Sequence, residues 1–248
     1  MARFFMAGTN LSGGRAVIRG QDAEHIRVLR LRAGEDLIIC DGKGTDYRCR
    51  LVRSAAGEAE AEVIEVTPCR AEPNVAVRVF AGYPKGERAE LLVQKCVEAG
   101  ASEIDFFDCE RCIARPDGRS MAKKLERLAR VSESAAQQSG RGIIPRVGYI
   151  PNYVDMLDAA VKSPVRLFMY ETGPGRAPLR EAIEAALPFG SAAVITGPEG
   201  GFSEAEAKMA AAAGFTLCSM GERILRFETA PVIAVPSITY ATGHLFIR

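Results

Sequence analysis

Tryptophan is absent from this 248-residue sequence, and histidine occurs only as His25 and His244. Two imidazoles are too few for a histidine-based metal site, and by count alone they leave no Ser-His-Asp catalytic array. The seven cysteines are odd in number and scattered, which favours reduced thiols over a disulfide framework. We therefore expect no metal and no disulfide scaffold.

Long apolar runs are missing as well. No stretch of about 18 apolar residues exists, so no membrane span is expected. The first ten residues lack an apolar segment of signal-peptide length. Hydrophobic residues make up 48% of the chain and charged residues 25%, which is typical of a globular protein. We expect a cytoplasmic protein that does not contact membranes.

An excess of either charge is also absent, because the net charge is +1. Near-neutrality argues against a general polyanion binder. The balance is uneven along the chain, however, since residues 111–146 contain 9 basic and only 3 acidic side chains. On a predicted helix from Met121, three cations (Lys123, Arg127 and Arg130) share a face that could follow phosphates. A solvated helix face is the simpler alternative.

Two patterns of hydrophobicity divide the chain. Residues 1–70 contain short apolar or alternating runs about ten residues apart, which predict a small β-barrel. From residue 74 to 248, strand patterns alternate with helix patterns, which predicts a mostly parallel sheet with helices on both faces. Pro68 and Pro73 flank the expected linker.

Two glycine-containing loops join predicted strands to predicted helices. The first follows Ile195 and Thr196 and contains Gly197, Gly200 and Gly201; Ser203 and Glu206 then form a predicted capping box. The second runs from Ser219 to Ala230. Ligands of parallel sheets bind beyond the carboxyl ends of strands, so we expect the two loops to lie side by side and form one crevice. In the second loop, Ile224 and Leu225 could bracket a flat apolar ligand or fill the core.

Other motifs give weaker signals. The first loop lacks the G-x-G-x-x-G spacing, and no phosphate loop ending in G-K-[ST] is present. Cys109 and Cys112 form a single C-x-x-C without a second pair. One such pair is a poor zinc signal, and we interpret the two as structural or incidental thiols.

Taken together, six segments resemble the uridine-N3 methyltransferases of bacterial 16S ribosomal RNA, a branch of the SPOUT methyltransferases. The six occur in the family's order and cover the chain nearly end to end, so the match is specific. They are Glu24–Glu35, Lys85–Arg88 with Val93–Gly100, Glu110–Cys112, Gln138–Arg141, Gly197–Gly201 and Gly221–Ala230.

The resemblance implies a fold and a cofactor. It implies an N-terminal PUA-like β-barrel that helps hold RNA, followed by an α/β domain with a deep C-terminal trefoil knot. It also implies a homodimer whose active site lies near the subunit interface. S-adenosylmethionine is expected between the two glycine loops, held by Thr196, Gly197, Pro198, Glu199, Gly200, Gly201, Met220, Gly221, Ile224, Leu225, Arg226, Glu228 and Thr229.

Methylation of uridine N3 requires loss of the N3 proton and stabilisation of negative charge on the uracil oxygens. Arg111 is the first candidate for stabilising this negative charge, and Glu98 or Glu199 for accepting the N3 proton. The 16S ribosomal RNA or the small ribosomal subunit is the expected partner. The expected RNA-binding residues are Arg27, Arg30, Arg32, Lys85, Arg88, Lys95, Lys123, Arg127 and Arg141.

The sequence departs from the family pattern at four positions. Gln137 stands where the family has Glu, which puts a base at that position in doubt. Phe227 replaces Thr in the second loop, and Pro231 and Pro236 punctuate the last helix. Two alternatives stay open: a SPOUT methyltransferase with another RNA target, and a non-catalytic RNA-binding module of the ribosome.

Overall fold

The structure is a computed structural model that describes residues 1–6, 11–114 and 118–244. The chain divides into two compact units. The N-terminal unit comprises Met1–Glu72 and Ala136–Ile144, and the C-terminal unit comprises Pro73–Ala135 and Pro145–Arg248. The sequence predicted domains at residues 1–70 and 74–248, and it therefore placed residues 136–144 in the second domain, whereas the structure places them in the first unit.

Among the described residues of Met1–Glu72, the N-terminal unit forms a six-stranded sheet and the helix α1 (Gln21–Val28). Its strands pair in the order β1-β4-β5-β6-β3-β2; β1 and β4 are parallel and the other pairs antiparallel. Its core contains fully buried Phe4, Ile18, Ile26, Leu37 and Ile39. The strands are β1 (Arg3–Phe5), β2 (Leu11–Ser12), β3 (Arg15–Arg19), β4 (Asp36–Cys40), β5 (Thr45–Ala55) and β6 (Glu58–Pro68).

Residues 136–144 belong to this unit because of polar contacts with Glu72. The Glu72 carboxylate accepts hydrogen bonds from the Arg141 side chain at 2.7 Å, from Gly142 N at 2.8 Å and from Ile143 N at 2.9 Å. A single carboxylate thus binds three donors of the segment. Sequence order alone could not reveal this long-range pairing.

The C-terminal unit is built on a seven-stranded, entirely parallel sheet in the order β11-β13-β10-β12-β7-β8-β9. The alternating pattern of the sequence predicted such a sheet because parallel strands need crossover connections. Three of its elements, β9, α4 and β11, were not predicted. The strands are β7 (Ala76–Gly82), β8 (Glu103–Phe107), β9 (Arg146–Ile150), β10 (Val165–Met169), β11 (Ala177–Pro178), β12 (Ser191–Thr196) and β13 (Thr216–Ser219).

Five helices of the described part of this unit lie between successive strands, and a sixth follows the last strand. They are α2 (Arg88–Glu98), α3 (Gly118–Gln138), α4 (Tyr153–Ala160), α5 (Leu179–Ala186), α6 (Glu204–Ala212) and α7 (Thr229–Ala241). None of the helices in the described ranges is long and apolar enough to cross a membrane.

The sequence pattern predicts a final helix from Thr229 to Phe246, and the observed helix is shorter. α7 ends at Ala241, and Gly243 follows with a φ of 84°, a backbone conformation that terminates helices. Residues 245–248 lie outside the described ranges. Pro231 occupies the first turn, where its missing N–H is not needed, and Pro236 is inside the helix.

The two strands that lead into the glycine loops are not neighbours, contrary to the sequence-based expectation. β10 lies between β12 and β13 and pairs with both. Strand order in a parallel sheet follows the crossover connections, and the pattern of one segment does not specify them. The prediction that these two strands are neighbours is therefore wrong, whereas the predicted single crevice is confirmed because both loops line one pocket.

Candidate functional site

The carboxyl ends of β10, β12 and β13 surround a pocket of about 340 Å³ in the C-terminal unit. This volume is in the range of small-molecule sites, and the position is the one expected for ligands of parallel sheets. We call it the strand-end pocket. It is lined by Arg88, Met169, Tyr170, Glu171, Thr196, Gly197, Pro198, Glu199, Gly201, Cys218, Ser219, Met220, Gly221, Arg223, Ile224, Leu225, Arg226, Phe227 and Ala230.

Most of the predicted cofactor residues line this pocket, and three do not: Gly200, Glu228 and Thr229. The predictions missed the segment Met169–Glu171 at the end of β10. The strand itself was predicted, so the rule that places ligands at strand ends could have identified this segment.

The first glycine loop, residues 197–202, is closely packed. Gly201 has a φ of 65° and donates its N–H to Pro198 O at 2.9 Å. A Cβ on Gly197 would lie 3.1 Å from the Gly201 backbone, and one on Gly82 would lie 2.7 Å from Pro198 N. Glycine at these positions therefore lets the loop fold against itself and against the end of β7.

The predicted capping box is confirmed. Ser203 Oγ accepts from Glu206 N at 3.3 Å, and Glu206 Oε2 accepts from Ser203 N at 2.9 Å. The loop thus leads into α6 through a helix start whose backbone donors are satisfied.

The second glycine loop, residues 219–229, is more open. Ile224 is 83% exposed, so the alternative that it fills the core is wrong. Leu225 is half-buried at the pocket wall, and Phe227 is buried. The Phe227 departure from the family pattern therefore places an aromatic ring where the loop closes on the core.

Charged side chains of both signs lie at the pocket. Arg88 and Glu199 form an ion pair at 3.2 Å, and Glu199 Oε1 also accepts from Lys85 N at 3.2 Å. Glu171 reaches the first glycine loop, because a Cβ on Gly201 would meet its Oε1. Arg223 and Arg226 line the side of the pocket formed by the second loop, and both side chains are exposed.

Arg111 lies beside the first glycine loop. Its Nη1 donates to Gly200 O at 3.0 Å, and a Cβ on Gly200 would lie 3.2 Å from Arg111 Cβ. The structure therefore brings Arg111, the residue predicted to stabilise negative charge on the uracil, next to the predicted cofactor loop, although Arg111 and Gly200 are 89 residues apart in sequence.

The turn that carries Arg111 contains two thiols in contact, which we call the cysteine turn (Cys109–Cys112). The sulfur atoms are 3.4 Å apart, and both residues are buried. Contact with Cys109 lowers the pKa of the Cys112 thiol, and the same contact, with burial, raises the pKa of Cys109. No group of three metal-ligating side chains occurs within the described ranges.

Glu98, a predicted proton acceptor, lies far from the pocket. α2 begins with Arg88 at the pocket and runs ten residues to Glu98, which is about 15 Å along the helix axis. Glu98 binds Lys95 at 2.8 Å instead. Glu98 is not among the residues that line the pocket, so this geometry does not support its catalytic role, which stays a prediction.

Arg141, a predicted RNA contact, is only 3% exposed and its guanidinium pairs with Glu72. Burial in an ion pair makes it a structural residue of the N-terminal unit and contradicts the RNA-binding prediction. Gln137 is structural as well, since its side-chain amide donates to the Arg3 carbonyl. A carboxylate could not make that contact, so Gln137 has a role of its own here.

Several of the remaining predicted RNA contacts already have acidic partners: Arg27 pairs with Glu24, Lys95 with Glu98 and Arg127 with Glu90. Glu90 lies on α2, outside the basic stretch, so counting charges within that stretch overestimated its free charge. The exposed members of the set are Arg27, Arg30, Arg32, Lys85, Arg88, Lys123 and Arg127.

Comparison with known proteins matches both parts of the chain. An RNA methyltransferase domain family matches residues 71–239, and an RNA methyltransferase PUA domain family matches residues 18–67. The predicted fold class, an α/β chain with an N-terminal PUA-type unit and a mostly parallel sheet, is thereby confirmed. The trefoil knot stays a prediction.

Relatives extend over nearly the whole length. The ribosomal RNA small subunit methyltransferase E of Bacillus subtilis is 33% identical over 232 residues, which are 92% of this chain and 91% of that protein. The crystal structure of the same enzyme from Neisseria gonorrhoeae, bound to S-adenosyl methionine, is 33% identical with a TM-score of 0.86, covering 99% and 100% of the two chains. A Legionella pneumophila structure with bound cofactor SAM is 26% identical with a TM-score of 0.77, covering 96% and 97%.

Proposed function

The chain belongs to the ribosomal RNA small subunit methyltransferase E family, and from that premise we propose that it methylates N3 of a uridine in 16S ribosomal RNA. The methyl donor is S-adenosylmethionine, as expected for this family. The contact between Arg111 and Gly200 carries the proposal, because it places a cation beside the loop that lines the strand-end pocket.

The strand-end pocket fits the chemical parts of S-adenosylmethionine. Ile224, Leu225 and Met220 offer apolar surface suited to an adenine ring. Arg223 and Arg226 could bind the carboxylate of the methionine part, and Glu171 its ammonium group. The small glycines of both loops leave their backbone accessible to a ligand.

The bound sulfonium supplies an activated methyl group, so the protein contributes mainly binding, orientation and electrostatics. Arg111 is proposed to stabilise the negative charge that develops on the uracil oxygens when N3 loses its proton. Its position is fixed by the Gly200 carbonyl at 3.0 Å, which limits reorganisation during the reaction.

Glu199 is the proposed proton acceptor, because of the two candidates it is the one that lines the strand-end pocket. Its carboxylate lines the pocket, and Oε1 is bound by Lys85 N and Arg88. Oε2 has no hydrogen-bond partner in the described part of the chain, so it can face a substrate N–H. Replacement by Gln would leave the shape and remove the acceptor charge.

The RNA substrate must present the uridine unpaired, because base pairing in a duplex occupies N3. Arg30, Arg32 and Lys123 are proposed phosphate contacts, since each is exposed and has no ion-pair partner in the described ranges. The near-neutral net charge then favours one structured RNA site over general binding.

A homodimer is also proposed. α7 exposes Ile233 and Tyr240, at 40% and 58%, and exposed apolar residues on one helix suit an interface with a second copy. Light scattering during gel filtration measures the mass directly. A mass near twice 26.7 kDa supports the dimer, and a monomer at micromolar concentration contradicts it.

The decisive experiment is incubation of purified protein with 16S ribosomal RNA or small subunits and tritiated S-adenosylmethionine, followed by mass mapping of the methylated nucleotide. N3-methyluridine at one position is the expected product. A methyl group on a ribose or on another base refutes the N3 assignment. Calorimetry that detects no cofactor binding favours a non-catalytic RNA-binding module instead.

A further inference from the structure

Glu206 makes one more contact than its capping box requires. Its side chain is buried, with the residue only 3% exposed, and each carboxylate oxygen accepts a different backbone N–H. Oε2 binds Ser203 N, which completes the capping box, whereas Oε1 binds Glu110 N at 2.8 Å. The second bond joins the start of α6 to the cysteine turn, 96 residues earlier in sequence.

That bond lies next to Arg111. Glu110 N is held by Glu206, and the adjacent Arg111 side chain donates to Gly200 O. Glu206 in turn follows the first glycine loop by only a few residues and is held in place by Tyr153, whose hydroxyl donates to Glu206 O at 2.7 Å. The cysteine turn is thus attached to the loop–helix segment at two successive residues.

We propose that Glu206 is a positioning residue for methyl transfer, which fixes Arg111 in register with the first glycine loop. The inference rests on the proposed function, because it requires that Arg111 act on the uracil. An arginine on a long flexible side chain loses catalytic effect when its backbone shifts, and a shift of about 1 Å can lower a rate substantially. A buried carboxylate with two backbone donors resists such a shift.

The chain offers a matched control. Ser203→Ala removes the Ser203 half of the capping box but leaves the bond between Glu206 and Glu110. Glu206→Gln has a single side-chain oxygen, so one of the two backbone N–H groups loses its acceptor, and Glu206→Ala removes both acceptors. Substitutions at Ser203 and at Glu206 both remove contacts at the start of α6, whereas only those at Glu206 remove a contact to the cysteine turn.

The test measures kcat, KM and cofactor affinity of the three variants, together with hydrogen exchange at the Glu110 amide. We expect Glu206→Ala to lose about tenfold or more in kcat, to bind S-adenosylmethionine within about twofold of the unmodified protein, and to exchange the Glu110 amide faster. Glu206→Gln should lose kcat only if its Glu110 amide also exchanges faster. Ser203→Ala should keep kcat within about twofold of the unmodified protein, while its melting temperature should fall as in the Glu206 variants.

Two results would overturn the inference: a Glu206→Ala variant that folds with kcat within twofold of the unmodified protein, or an equal kcat loss in Ser203→Ala. Arg111→Ala in the same assay separates this failure from that of the proposed function. Normal turnover without the Arg111 side chain refutes the role of Arg111 itself. A large loss in Arg111→Ala beside normal turnover in Glu206→Ala refutes the positioning role alone.

Discussion

The two glycine loops of the strand-end pocket differ in how firmly the rest of the C-terminal unit holds them. The first is held by Arg88 through Glu199 and by Arg111 through Gly200. The second has a local bond from Gly221 N to Ser219 Oγ at 3.2 Å, and it exposes Ile224 almost fully.

The difference separates two tasks. A loop that must place a charge beside a reacting group needs contacts that exist before the ligand arrives, because preorganisation lowers the reorganisation cost. A loop that covers an apolar ring can become ordered when the ligand binds, because burying the Ile224 side chain against the ring is itself favourable. We therefore expect the first loop to control the rate and the second to control cofactor affinity.

The largest effect is expected from Arg111→Ala. Loss of a preorganised cation should lower kcat by about 100- to 1,000-fold. Cofactor affinity, measured by calorimetry, should stay within about twofold because Arg111 does not line the pocket. Arg226→Ala is the comparison variant, since it should weaken cofactor binding. Near-normal turnover in Arg111→Ala would contradict the division of tasks.

Replacing one glycine in each loop compares their rigidity. In Gly201→Ala the new Cβ meets Glu171 Oε1 at a positive φ, so the free energy of unfolding should fall by about 1–3 kcal/mol and cofactor affinity by roughly tenfold. Gly221 also has a positive φ, but a Cβ there meets no described atom within 4 Å. Gly221→Ala should therefore cost less on both measures. Thermal denaturation and calorimetry check this, and the reverse order would show that the second loop is the stiffer one.

Ile224→Ala tests the apolar cover of the second loop. Because Ile224 is so exposed, the free energy of unfolding should change by less than about 0.5 kcal/mol. Affinity for S-adenosylmethionine should fall roughly fivefold, corresponding to about 1 kcal/mol of lost apolar contact. Unchanged affinity, measured by calorimetry, would remove Ile224 from the cofactor site; Met209→Ala, an exposed position away from the pocket, serves as the control.

The same contrast between held and exposed residues occurs among the cations of the N-terminal unit. Arg141 is buried with Glu72, whereas Arg30 is exposed and has a φ of 56° just after α1. Arg30 N bonds Arg27 O, and Leu31 N bonds Ile26 O, which is the helix-ending geometry that favours glycine. An arginine kept at such a position costs stability, and binding of a phosphate would explain its presence.

Arg30→Gly is therefore expected to act in opposite directions on stability and binding. The free energy of unfolding should rise by about 1 kcal/mol because glycine adopts this conformation without strain. Affinity for 16S ribosomal RNA fragments, measured by filter binding, should fall about threefold. Lys43→Gly at another exposed position should not weaken RNA binding. Equal RNA affinity in Arg30→Gly would exclude the phosphate contact.

Much of the fold could be predicted from the sequence because local patterns reflect local physics. The alternation in Tyr47–Arg53 and the helical spacing of Leu125 and Leu128 identify β5 and α3. Gly100 has a φ of 101° after α2, as expected of a helix-ending glycine. β9 and α4 were missed, and the transfer of residues 136–144 to the N-terminal unit depends on a partner, Glu72, that lies about 70 residues away.

The candidate site divides in the same way. Strand-to-helix loops with several glycines are visible in the sequence, and most of their predicted residues line the pocket. The ion pairs of Glu98 with Lys95 and of Arg141 with Glu72 could not be predicted, because a motif gives a residue's neighbours in sequence and not the charged partner that it meets in the fold. Glu171 was missed because it belongs to no glycine loop.

The sequence by itself determined the two-part organisation, the family and the segments that form the pocket, because each of these depends on local pattern and composition. Only the tertiary structure decided that β10 stands between β12 and β13, that Arg111 contacts Gly200, and that Glu206 reaches Glu110. These are contacts between residues distant in sequence. They depend on strand order and on the packing of buried polar groups, which no single segment encodes.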